Sequence, residues 1–218
     1  MKLEAIDISK SYDGKQNILT NISLCAETGN TISISAPSGM GKSTLLSILG
    51  LLLKPTSGEL FLDGREISGL PDAEKAKIRN RNFGFIFQST QLIGSLTALE
   101  NVCIPALLAG EQKTKRAIEL LEEFGLCDRM DYYPHQLSIG QQRRVSIARA
   151  LLMNPRFVFA DEPTNDLDPA NSAAISQCLL ALPSQERALI LVTHDVEFAN
   201  QADYRFQITK DGNLSHLM

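Results

Sequence analysis

Apolar and polar positions alternate early in the chain: Ile22, Leu24 and Ala26 interleave with Ser23, Cys25 and Glu27. That is the period of a half-buried strand in an antiparallel region. Leu60-Phe61-Leu62 running into Asp63-Gly64 predicts a short strand entering a tight turn. Between them Thr31–Ser35 reads as a strand, followed by a glycine-rich loop and a helix over residues 42–53 that stops before Pro55. The middle switches to helical spacing, with Ala117, Ile118, Leu121 and Phe124 ahead of a stop at Gly125. Val145, Ala148, Leu151 and Leu152 repeat the pattern before Pro155. The last third alternates again: the apolar run 157–160, a helix carrying Ile175, Leu179 and Leu182, and the run 188–192. Strands alternating with helices predict an α/β fold whose mostly parallel sheet is covered on both faces. There is no internal repeat or low-complexity linker. The expectation is one domain over residues 1–218, with a core at about 1–87 and 155–218 and a helical subdomain at about 88–154.

Composition narrows this picture. A chain of 218 residues suits a single domain with a full core. A formal net charge of −4 supplies no basic field, so nucleic acid is not an expected partner. Apolar runs such as 45–53 are too short to span a bilayer, and Met1-Lys2-Leu3-Glu4-Ala5 lacks the apolar stretch of a secretory signal. Cys25, Cys103, Cys127 and Cys178 form no metal or redox spacing and are expected as small buried or half-buried residues in a reducing cytosol.

The sharpest chemical signal is Ala36-Pro37-Ser38-Gly39-Met40-Gly41-Lys42-Ser43-Thr44, directly after the strand Thr31–Ser35 and opening a helix. Glycines let backbone N–H groups close around phosphate oxygens, and the helix N-terminus adds partial positive charge. Lys42 would reach the β- and γ-phosphates of ATP, and the Ser43 hydroxyl would ligate Mg²⁺. Ala36 departs from the glycine of this pattern. If the position needs positive φ, alanine costs roughly 1 kcal/mol or more; if it is still strand-like, almost nothing.

Polar groups follow three further apolar strands: Gln88 after 83–87, Asp161-Glu162 after 157–160, and His194-Asp195 after 189–193. Each alone has a bland reading as a loop or helix cap. In an open parallel sheet, however, ligands bind at the carboxyl ends of the strands, so the four features are expected to converge. Asp161 would hold Mg²⁺, with Gln88 touching metal or water. Glu162 would orient or deprotonate the attacking water, and His194 would donate to the γ-phosphate, where transition-state charge spreads. Leu137-Ser138-Ile139-Gly140-Gln141 has two evenly weighted readings. Ser138 and Gln141 form an S-x-x-Q capping box, and the same helix start is an anion site for a phosphate supplied by another subunit.

Taken together, the loop at 36–44, Gln88, the segment 137–141, Asp161-Glu162, Leu167-Asp168 and His194 resemble, in order and spacing, the ATP-binding-cassette (ABC) ATPases. The resemblance implies a P-loop NTPase (RecA-like) core with a parallel sheet, an N-terminal antiparallel β subdomain and an inserted α-helical subdomain. It implies that Tyr12 stacks on adenine and that two ATP molecules lie in a head-to-tail dimer. Ser138, Gly140 and Gln141 of one subunit would complete the site built on Lys42 of the other, with Asp168 near the interface. It further implies integral membrane permease subunits as partners, contacted by about residues 88–108, and a peripheral location on the cytoplasmic face of the cell membrane. The stretch from Phe85 to Val102, with Gln88 and Leu96-Thr97-Ala98-Leu99-Glu100-Asn101-Val102, is similar to the lipoprotein-releasing and macrolide-exporter branch.

The family has glycine where this chain has Ile139. With Ala36 this makes two side chains added beside a phosphate, so hydrolysis is expected to be retained but slower. Two alternatives stay open: an ABC-type ATPase acting through a membrane partner in cell-envelope remodelling, and an ATP-binding switch with little hydrolysis.

Overall fold

The computed structural model describes residues 1–37 and 39–217. The chain opens with β1 (Lys2–Ser11), β2 (Asn17–Glu27) and β3 (Thr31–Ser35), then α1 (Lys42–Leu49), β4 (Ser57–Leu62) and β5 (Arg65–Glu66). Next come α2 (Asp72–Asn82), β6 (Phe83–Ile86), α3 (Ala98–Leu108), α4 (Thr114–Glu123) and α5 (Ile139–Leu151). The remainder is β7 (Phe157–Asp161), α6 (Pro169–Leu180), β8 (Ala188–Val192), α7 (Val196–Ala199), β9 (Tyr204–Ile208) and β10 (Leu214–Leu217).

Two sheets result. The antiparallel one runs β2-β1-β4-β5, and the turn at Asp63-Gly64 joins its last two strands. The larger runs β10-β9-β3-β8-β7-β6, parallel throughout except for β10. Its central strands are buried on both faces, and period-2 alternation sorts their side chains into two cores. Phe157, Phe159, Ile190 and Val192 join α1 and the antiparallel sheet on one side. Val158, Ala160, Leu189 and Leu191 join α3, α4, α5 and α6 on the other. The segment 88–154 thus contains α3–α5, whose apolar side chains share a core with the central sheet.

Three expectations change. The first helix ends at Leu49 and not at Leu53, because Gly50 caps it and Leu51 turns left-handed at φ 59°. Cys25 and Cys127 are exposed, while Cys103 and Cys178 are half-buried; all four are free. Cys25 lies on the polar phase of β2 and Cys127 in the turn after α4, so neither reaches a core. The early antiparallel region is also larger than the alternation at 22–27 suggests, since β1 carries three register shifts against β2 that break its period. Among the described residues, no helix is long and apolar enough to cross a membrane.

Candidate active site

Four consecutive strands of the parallel sheet, β3, β8, β7 and β6, end beside one another. The phosphate-type loop follows β3, His194 follows β8, Asp161 and Glu162 end β7, and Gln88 follows β6. The sequence expectation of convergence therefore has a direct geometric basis: neighbouring parallel strands deliver their next residues to one edge.

Around Lys42 the loop folds tightly. Gly39 and Gly41 have φ of 80° and 84°, and a Cβ on Gly41 would stand 2.7 Å from Ile18 Cγ2, so only glycine fits there. Ala36 lies outside the left-handed region and is buried in the core, which selects the low-cost case for its methyl group. Lys42 Nζ donates to Ala36 O at 2.8 Å and Pro37 O at 3.4 Å. It also stands 3.9 Å from Glu162 Oε1. Met40 packs on the same core. Ser38 lies outside the described residues. Tyr12, 63% exposed, has its hydroxyl 3.4 Å from Thr44 Oγ1 and Lys10 Nζ 5.2 Å from its ring centroid. The exposed ring is thereby held at the start of α1.

On β7, Asp161 is buried and its Oδ1 has no hydrogen-bond partner. Burial pushes its carboxyl above the usual range; the Ser43 hydroxyl that donates to it and the charge of Lys42 pull the other way, and Glu162 adds to the rise. An orphaned buried carboxylate oxygen beside a serine hydroxyl fits a hard divalent cation. Among the described residues no group of three His, Cys, Asp or Glu forms a metal site, so such a cation would need the phosphates of a nucleotide as further ligands. Glu162 is left-handed at φ 45°, a conformation that costs about 1 kcal/mol or more in a non-glycine residue. It is held by its N–H to Val192 O at 2.8 Å and by His194, whose main-chain N–H donates to Glu162 Oε2 at 3.1 Å. The ring Nδ1 of His194 lies 2.8 Å from the same oxygen. His194 was expected to face phosphate; here Nδ1 is engaged by Glu162, which leaves Nε2 for a ligand.

The helix start at Ser138 is not joined to Lys42 by any hydrogen bond or ion pair among the described residues. Its capping box is formed: Ser138 Oγ accepts from Gln141 N at 3.2 Å and Gln141 Oε1 from Ser138 N at 2.9 Å. Ile139 points outward, 57% exposed. Gly140 abuts α6, where an added Cβ would stand 2.9 Å from Asn171 Cγ. Asn171 in turn donates to Asp168 Oδ2 at 2.6 Å and accepts from Arg144 at 3.0 Å. Asp168 caps α6, and these bonds from Asn171 and Ala170 hold its carboxyl below the usual range. The in-trans candidates thus form one connected surface at the starts of α5 and α6.

The sequence reading missed two buried or half-buried arginines on α5. Arg143 donates to Phe87 O and to Gln88 O at 2.6 Å, and Arg149 to Gln91 O at 2.7 Å and Thr90 O at 2.8 Å. The available signal was Arg143 itself, a charged residue i−4 from Ile147 on an apolar helix face.

Comparison with known proteins agrees with this fold. The family described as ABC transporter matches residues 19–165. An uncharacterised ABC transporter ATP-binding protein of Methanocaldococcus jannaschii is 45% identical over 222 residues, covering 99% of each chain. The lipoprotein-releasing system ATP-binding protein LolD of Bdellovibrio bacteriovorus is 42% identical over 217 residues, 96% of this chain and 98% of that protein. Among solved structures, a dimeric post-hydrolysis state of the ATP-binding cassette MJ0796 bound to ADP and Pi superposes with a TM-score of 0.89 at 39% identity, covering 99% of each chain.

Proposed function

The chain belongs to the ABC transporter family of ATP-binding proteins, and on that premise we propose that Lys42, Asp161, Glu162 and His194 make it an Mg²⁺-dependent ATPase working at a head-to-tail homodimer interface to drive integral membrane subunits. The observation that carries the reading is the run of four adjacent strands whose ends bring Lys42 within 3.9 Å of Glu162 and Glu162 within 2.8 Å of His194.

In this reading the backbone N–H groups from Gly39 to Thr44 and the start of α1 cradle the β- and γ-phosphates of ATP, and Lys42 leaves its carbonyl partners to meet them. Tyr12 stacks on the adenine. Asp161, Ser43 and Gln88 would hold Mg²⁺, which supplies charge neutralisation to the phosphates. Glu162, fixed by two bonds from His194 to one oxygen, keeps Oε1 for the attacking water. It accepts the water's proton as the bond from water oxygen to the γ-phosphorus forms and the bond from that phosphorus to the β,γ-bridging oxygen breaks, with ADP leaving. A neutral His194 ring that donates from Nδ1 presents Nε2 as an acceptor, so donation to the γ-phosphate from Nε2 requires both ring protons. Ser138, Gly140 and Gln141 of the second subunit close the site with the free N–H groups of their helix start, and Asp168 sits beside them.

Residues 88–108 face the membrane partner, which puts the protein on the cytoplasmic face of the membrane. Leu107 and Leu108, 76% and 78% exposed at the end of α3, give that surface an apolar edge. Affinity capture of the tagged protein from detergent-solubilised membranes tests the partnership: co-purification of a multi-span membrane protein is expected, and its absence from the wild type counts against it.

A further inference from the structure

The loop between β6 and α3 (residues 87–97) has no strand or helix of its own, and its backbone carbonyls need partners wherever they leave water. Those partners come from α5. The two terminal nitrogens of Arg143 reach the carbonyls of Phe87 and Gln88, and the two of Arg149 reach those of Gln91 and Thr90. Gln142 adds a contact to the Thr90 hydroxyl at 3.5 Å. The far end of the loop is tied to α3 by Asn101, fully buried, which accepts from Ile93 N and donates to the carbonyls of Ile93, Leu96 and Thr97.

Two features set the arginines apart from ordinary loop packing. Arg143 is 2% exposed and leaves its Nε without a partner, and among the described residues neither arginine forms an ion pair. A buried guanidinium with no carboxylate in contact, eased only by the more distant charge of Asp166, is a costly way to satisfy two carbonyls, which neutral side chains satisfy more cheaply. What the planar fork adds is direction: two charge-assisted bonds fix both the position and the tilt of the peptide plane they hold. The same helix begins at Ser138, and its Arg144 reaches Asp168 through Asn171.

We propose that Arg143 and Arg149 are positioning residues for ATP hydrolysis: they fasten the main chain around Gln88 to the helix that starts at Ser138, so that Gln88 and the in-trans phosphate contact move as one body. This rests on the roles given above to Gln88 and Ser138. Gln88 reaches its own nucleotide while Ser138 reaches the one across the dimer, so the clamp makes occupancy of one site felt at the other.

The test is a double-mutant cycle on the purified full chain, with kcat, KM for ATP, Mg²⁺ half-saturation and Tm measured for Gln88→Ala, Arg143→Gln and the pair. Each single substitution is expected to lower kcat by about tenfold, Arg143→Gln with KM for ATP within about twofold of wild type. In the Gln88→Ala background, Arg143→Gln is expected to cost less than about twofold more, because its effect passes through Gln88. Arg143→Lys, which keeps the charge and one donor to the loop, is expected to recover part of the rate. A full tenfold further loss in the Gln88→Ala background would overturn the proposal while leaving the role of Gln88 intact. A Gln88→Ala chain with wild-type kcat and Mg²⁺ dependence would instead sink the role of Gln88, and the clamp's action through it. If Arg143→Gln does not fold, Arg149→Lys takes its place in the same cycle with the same two readings.

Discussion

Glu162 Oε2 is bound twice by His194, from its main-chain N–H at 3.1 Å and at its ring Nδ1 at 2.8 Å. The second contact depends on the ring and the first does not. His194→Ala therefore leaves Glu162 half-oriented, and its kcat is expected to fall by about 10²-fold, less than on losing the carboxylate itself. Because the side chain is 69% exposed, Tm should stay within about 2 °C. Phosphate-release kinetics and a thermal melt check both; an unchanged kcat would remove His194 from the site.

Asp161 stores a stability cost. A carboxyl whose folded pKa lies above its unfolded value of roughly 3.9 weakens the fold wherever it is ionised, and this penalty is full above the folded pKa and vanishes as pH falls below the unfolded one. Asp161→Asn is expected to raise Tm by roughly 2–4 °C at pH 7 without Mg²⁺, with the gain shrinking as the buffer approaches pH 4. The same variant should lose Mg²⁺-dependent hydrolysis by about 10²-fold or more. A lowered Tm at pH 7 would show that Asp161 stabilises the fold.

The two departures from glycine separate cleanly. Ala36→Gly deletes a buried methyl group and loosens the chain where no positive φ is needed, so Tm should drop by roughly 2–4 °C for about 1 kcal/mol, with kcat within about twofold. Ile139 stands exposed at the first position of α5, where the partner's phosphate is proposed to arrive. Any slowing falls on that residue alone, and Ile139→Gly is expected to raise kcat about threefold or more. Steady-state rates for both variants decide; a faster Ala36→Gly chain would reverse the assignment.

Dimerisation has its own readout. With ATP and Mg²⁺ present, Glu162→Gln is expected to accumulate as a dimer in light scattering, since binding persists without turnover. Adding Ser138→Arg, which crowds the helix start proposed to contact the opposite phosphate, should return the monomer mass. A dimer that survives Ser138→Arg unchanged would place the interface elsewhere.

Much of the site was legible because each chemical residue follows an apolar run, and the runs at 157–160 and 188–192 are buried on both faces and so carry unbroken hydrophobicity. Other parts were harder to read: β1 of the antiparallel sheet has three register shifts against β2 that break its period, and α2, ahead of β6, buries none of its residues and so shows no stripe. The capping box at Thr97 and Glu100 that starts α3 stood in the sequence unread. Ser138 and Gln141 illustrate the opposite limit. Their box is formed, yet it serves equally for starting a helix and for presenting free N–H groups to an anion, so one chain's geometry carries both uses. The arginine clamp was hidden because its partners are backbone carbonyls more than fifty residues away, which leave no pattern in sequence.

The central claim is that Glu162 works on the attacking water within a site built on Lys42. Phosphate release from ATP by wild type and Glu162→Gln, measured beside fluorescent-nucleotide binding, tests it most directly. The account predicts Mg²⁺-dependent release by the wild type, a loss of about 10²–10³-fold in Glu162→Gln, and nucleotide affinity unchanged within about threefold. Equal rates in the two proteins would contradict it.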